Sequence, residues 1–113
     1  MSTEKNSSSY YMKDGLVNLK KLIELKPELF GPLKDFDQKV FEEGTLSIKT
    51  KELIAVATAH ITRCPFCIDM HVKKAKMAGV TDEELAEAIF VAIMMNSAAA
   101  LAHACIAMDS LKR

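Results

Sequence analysis

From Ala88 to Met108 the chain carries no Asp, Glu, Lys or Arg, and any fold it adopts has to find cover for that stretch. A run of this length meets the requirement for a membrane span. Asn96, Ser97 and His103 interrupt it, however, and alanine is abundant in it. The composition points instead to a buried pair of helices that could lie at a subunit interface. No stretch alternates apolar and polar residues with a period of two, aromatic residues make up 6% and Trp is absent, so nothing favours strands. The expected class is all-α, a bundle of about six helices, with residues 10–113 as one domain.

Punctuation along the chain sets the expected helix ends. Leu16, Leu19 and Ile23 recur at helical spacing between Tyr10 and Leu25, and Lys26 ahead of Pro27 should end that helix. Residues 27–32 read as a connection or a single turn, with a second helix from Pro32 to near Gly44. Ser47 is placed to cap a third helix, Lys49 to Arg63. Pro65 suits the first position of a fourth, which runs to about Ala78 with Gly79 just past its end. Thr81-Asp82-Glu83-Glu84 is a capping-box signature. It opens a fifth helix through Met95, expected to bury Leu85, Ala88, Ile89, Ala92 and Ile93. Asn96-Ser97 marks a break before a sixth helix, Ala98 to Leu111.

Met1 to Ser9 is polar and Ser-rich without an apolar core, so it reads as a disordered lead-in rather than a signal peptide. The expected compartment is the cytoplasm. Fifteen basic residues balance fifteen acidic ones, which gives no reason to expect nucleic acid or a membrane as partner.

Chemistry concentrates between Glu52 and His71. Cys64 and Cys67 bracket Pro65 and Phe66, a spacing that can close a small disulfide and suits reversible two-electron chemistry. With a helix starting at Pro65, both sulfurs sit where unpaired N–H groups favour a thiolate. His71 lies one turn beyond Cys67 on the same face, placed to take its proton. The helix-cap position favours Cys64 as the more acidic thiol and the histidine favours Cys67, so the residues alone leave the order open. Glu52 lies about 18 Å along the helix from Cys64, of which His71 would recover only about 10 Å, and spacing does not bring the two together. His60, Cys64, Cys67 and His71 also have zinc-ligand spacing, although a chain with this much apolar surface does not need a metal staple. Cys105, on an Ala-rich helix with His103, reads as a small core residue, and Met94 and Met95 as core or interface filler.

The pattern Glu52-x11-Cys64-x-x-Cys67-x3-His71, followed by A-x-x-A-G-V-T-x-E-E-L-x-E-A from Ala75 to Ala88, resembles the carboxymuconolactone decarboxylase superfamily. Within it, the pattern resembles the AhpD-like alkylhydroperoxidases. The lead-in E-G-T-L-S-I-K-T-K-E-L-I from Glu43 to Ile54 fits the same family, and the likeness covers about residues 42–102. It implies an AhpD-like helical fold that forms trimers or hexamers. It also implies that Cys67 attacks a hydroperoxide, Cys64 resolves the product as a disulfide, and His71 with Glu52 relays the proton, a water bridging to Glu52. A dithiol, lipoyl-like or thioredoxin-like, would reduce the disulfide, and no metal or flavin is required. Phe66 departs from the tyrosine often found between the cysteines, so a hydroxyl that aids the relay there would be missing. The decarboxylase branch generally lacks the Cys pair, which argues against lactone decarboxylation. From the residues alone, a dithiol–disulfide oxidoreductase and a redox-sensing or zinc-binding protein remain alternatives.

Overall fold

The computed structural model describes residues 15–113; the expected lead-in and the start of the first helix lie outside them. The described residues form five helices and no strand: α1 (Gly15–Leu25), α2 (Pro27–Val40), α3 (Ile48–Thr62), α4 (Pro65–Met77) and α5 (Asp82–Ser110). The all-α class is therefore observed, with one helix fewer than the sequence suggests.

The missing boundary is at Asn96-Ser97, where α5 runs through without a break. Neither residue is a helix breaker of the proline or glycine kind. Ser97 folds its hydroxyl back onto the carbonyl of Ile93 at 3.0 Å, a bond that lets a serine sit inside a helix. The expected buried pair of helices is thus one long helix, and most of it is exposed in the protomer. The second difference is at Pro32, which lies inside α2 instead of opening it. Pro27 takes the first position, and the single turn that follows joins the helix because Pro32 forfeits only one backbone bond.

The other ends fall where local chemistry puts them. Lys26 leaves the helical region ahead of Pro27 (φ −143°, ψ 64°). Ser47 accepts from the Thr50 amide at 3.1 Å, and Thr81 and Glu84 complete both halves of a capping box at 3.0 and 2.9 Å. Gly79, at φ +92°, supplies the left-handed residue that lets Val80 N–H close back on Ala75 O at 3.0 Å.

α3 and α4 form a hairpin, and α5 packs along α3. Val56 on α3, Ala75 on α4 and Val80 between α4 and α5 are buried together, with Leu53, Val72, Leu85 and Ile89 packed around them. Ala92 is buried as expected, whereas Ile93 is exposed. This core is small for the chain. The radius of gyration is 18.2 Å, against about 13 Å for a compact domain of this size. Large apolar side chains such as Phe36 on α2 and Phe90 and Leu101 on α5 face outward.

Glu84 is held below the ordinary glutamate range by the Thr81 amide, with a smaller contribution from Lys49. A lowered folded-state pKa means its stabilisation is present at neutral pH and is lost as the pH falls through that lowered value. Glu84→Ala should therefore lower the melting temperature at pH 7, and the gap to wild type should begin to narrow only below the ordinary glutamate value of 4.5 and shrink further as the pH falls through the lowered one.

Candidate active site

Two residues reverse the chain between α3 and α4. Arg63 adopts the left-handed conformation (φ 60°, ψ 49°), uncommon for a side chain with a Cβ. It lets the Cys64 amide close on Ala59 O at 3.2 Å. Cys64 then caps α4, its sulfur accepting from the Cys67 amide at 3.2 Å, with Pro65 in the first helical position. The two cysteines form a disulfide, their Cα atoms 5.2 Å apart. The tight reversal places the sulfurs at the mouth of α4 and aligns its first two turns beside α3.

That alignment brings Glu52 and His71 into direct contact, Nδ1 to Oε1 at 2.7 Å. The expected bridging water is not needed. An estimate from helical rise alone leaves a gap because it treats the axes as parallel and ignores the reach of a glutamate and an imidazole. Both side chains are sheltered, at 5% and 12% exposure, so this is an interior pair. A carboxylate buried to that degree requires a donor, and His71 supplies it. With Nδ1–H donating to Glu52, Nε2 becomes the nitrogen that can exchange a proton with its surroundings.

Cys67 and His71 line the same cavity of about 450 Å³, walled by Val40 and Phe41 at the end of α2, Leu46, and the Ile54, Ala55 and Thr58 face of α3. Its walls are largely apolar. Cys64 is not among its lining residues. Phe41 lies over the imidazole of His71, ring centroids 5.2 Å apart and planes at 22°.

The structure thus joins Glu52, His71, Cys67 and Cys64, and it leaves the other sequence candidates outside. His60 turns its Nδ1 to the Val56 carbonyl of its own helix at 2.8 Å. Among the described residues no three His, Cys, Asp or Glu side chains converge as a metal-holding group, so the zinc set is not assembled. Cys105 is exposed rather than in the core, and His103 bonds back to Ala99 O. Two residues at the site were not legible in advance. Phe41 reads only as part of an apolar helix face. Lys51, whose ammonium bonds the carbonyls of Val40 and Glu42, carries no signal beyond its place beside Glu52.

The Carboxymuconolactone decarboxylase family profile matches residues 27–110. The chain belongs to this family. The match includes α2, which the motifs alone did not reach. Among solved structures, a crystal structure from Methanobacterium thermoautotrophicum is 36% identical with a TM-score of 0.71, covering 75% of this chain and 96% of that one. A carboxymuconolactone decarboxylase family protein from Legionella pneumophila, in its apo form, is 35% identical with a TM-score of 0.70 over 80% of this chain and 81% of that one. In sequence, uncharacterized protein 4 in the cox locus of Paracoccus denitrificans is 55% identical over 65 residues, 58% of this chain and 59% of the relative. Uncharacterized protein YdfG of Bacillus subtilis (strain 168) is 31% identical over 62 residues, 55% of this chain and 42% of the relative. The chain therefore spans less than two thirds of either relative's own length.

Removing one partner of a buried pair leaves the other without compensation. His71→Ala, which strands the Glu52 carboxylate, should cost about 3 kcal/mol in urea unfolding. Replacing both with leucine should recover most of that loss, since neither charge nor donor then remains.

Proposed function

We propose that this protein reduces organic hydroperoxides through its Cys64–Cys67 pair, as an alkylhydroperoxidase-like member of its family. The observation that carries the reading is the shared cavity. Cys67 opens onto it beside His71, and His71 is backed by the buried carboxylate of Glu52. Position at the start of α4 favours a thiolate through the helix dipole and unpaired amides.

In the reduced enzyme, His71 takes the proton of Cys67 while Glu52 steadies the imidazolium. The thiolate attacks the distal oxygen of ROOH. The O–O bond breaks, sulfur is oxidised by two electrons to the sulfenic acid, and the departing alkoxide takes the proton from His71 to leave as ROH. Cys64, three residues away, then condenses with the sulfenic acid, forming the disulfide and releasing water. An external dithiol, lipoyl-like or thioredoxin-like, returns the pair to two thiols and is itself oxidised to a disulfide. The apolar cavity supports a substrate with an organic body, and its exposure of Cys67 but not Cys64 supports Cys67 as the attacking sulfur.

The apolar side chains on α1, α2 and α5 support assembly as a homo-oligomer, which the family resemblance makes a trimer or hexamer, and the proposed compartment is the cytoplasm. α5 is long and apolar enough to cross a membrane by length and composition, so detergent-free behaviour is informative. Sedimentation should show a single soluble species at a multiple of the 12.5 kDa protomer. Material that stays in solution only with detergent would count against the assembly.

Steady-state assays with an organic hydroperoxide and a dihydrolipoyl donor test the chemistry. Cys67→Ser should consume no peroxide. Cys64→Ser should turn over once and stop at the sulfenic acid. First-step failure in Cys64→Ser would reverse the two roles, and wild-type turnover of disulfides without any peroxide would favour a dithiol–disulfide oxidoreductase.

A further inference from the structure

His71 can serve Cys67 only while its ring keeps one orientation. The hydrogen bond from Nδ1 to Glu52 Oε1 at 2.7 Å fixes one atom of that ring and leaves the ring able to tilt about the contact. A second restraint of another kind is required, and a face contact supplies it. Phe41 stacks on the imidazole at 5.2 Å and 22°, within the range of favourable aromatic pairs.

Phe41 is itself poorly placed to hold anything. It is the residue immediately after α2, at φ −93° and ψ 6°, and six residues without regular structure separate α2 from the cap of α3. Helix ends of this kind fray. The Phe41 and Glu42 amides close on Asp37 O and Lys39 O at 3.2 and 3.3 Å, which ties the turn to its own helix, and Lys51 ties it across to α3. The Lys51 ammonium donates to the Val40 carbonyl at 2.7 Å and to the Glu42 carbonyl at 2.6 Å, the two carbonyls on either side of Phe41. Carbonyls at the end of a helix lack helical partners, and a cation is favoured there. Lys51 is also the chain neighbour of Glu52 on α3. One turn of α3 therefore delivers both restraints on His71, one through the carboxylate and one through the clamp on Phe41.

We infer that Lys51 is a positioning residue: by gripping the backbone on both sides of Phe41 it seats that ring on His71 and so aims the imidazole at the cavity it shares with Cys67. The catalytic consequence rests on the proposed hydroperoxide reaction, while the seating can be read without any peroxide.

The test uses the full chain in its reduced state. Ring protons of His71, assigned by comparison with His71→Gln, carry a ring-current displacement from Phe41, and Phe41→Leu defines its absence. Lys51→Met should lose most of that displacement and slow alkylation of Cys67 by iodoacetamide about tenfold at neutral pH, the scale expected when a reacting group is misaligned. Lys51→Arg, which can still reach two carbonyls, should restore both readouts. If Lys51→Met does not fold, Lys51→Gln takes its place. A displacement retained when the ammonium is gone overturns the inference, and so does an unchanged alkylation rate after the displacement is lost. Wild-type protein that consumes no hydroperoxide, with displacement and alkylation behaving as stated, would leave the clamp standing and remove the reaction.

Discussion

A carboxylate removed from water needs a donor, and in this chain Glu52 finds it in His71. That single contact explains the arrangement around it. Arg63 accepts a left-handed backbone so that α4 can turn back along α3 within two residues. Cys64 closes the end of α3 through its amide and opens α4 through its sulfur. The same turn that puts His71 against Glu52 therefore places both sulfurs at the head of a helix, with Cys67 lining the cavity that the imidazole also lines. Stability and chemistry share these residues, which is why the small core of Val56, Ala75 and Val80 is built along the same hairpin.

What the sequence shows well is local. Ser47, Thr81 with Glu84, Gly79 and Cys64-Pro65 act on partners within a few residues, so their roles follow from spacing. Family resemblance adds the grouping of Glu52 with His71, whereas helical rise alone argues against it, because the crossing of two helices is not written in either one. Boundaries set by weak breakers are misread: Asn96-Ser97 looks like a stop until Ser97 is seen to bond its own helix, and Pro32 is absorbed into α2 at the loss of one bond. Cys105 shows the limit for burial. An apolar neighbourhood in sequence suggests the core, yet α5 is too long for the rest of the protomer to cover. Phe41 reaches the site from thirty residues before His71, and Lys51, though next to Glu52, acts through contacts to Val40 and Glu42 that no spacing rule encodes.

The mismatch between apolar surface and core is the other constraint. A chain with a radius of gyration of 18.2 Å leaves exposed much of what a domain of its length would hide. The uncovered length of α5, the outward leucines of α1 and α2 and the outward Phe36 suit a protomer that completes its core against copies of itself.

The central claim is that the buried Glu52–His71 pair makes Cys67 ready to attack and that Cys64 then captures the oxidised sulfur. The most direct measurement follows reduced protein by intact mass and peptide mapping after a brief, substoichiometric pulse of organic hydroperoxide, with Glu52→Gln beside the wild type. The account predicts a Cys64–Cys67 linkage in the wild type within the pulse and much slower formation in Glu52→Gln. Thiols left unchanged in the wild type, or equal rates in the two proteins, would contradict it.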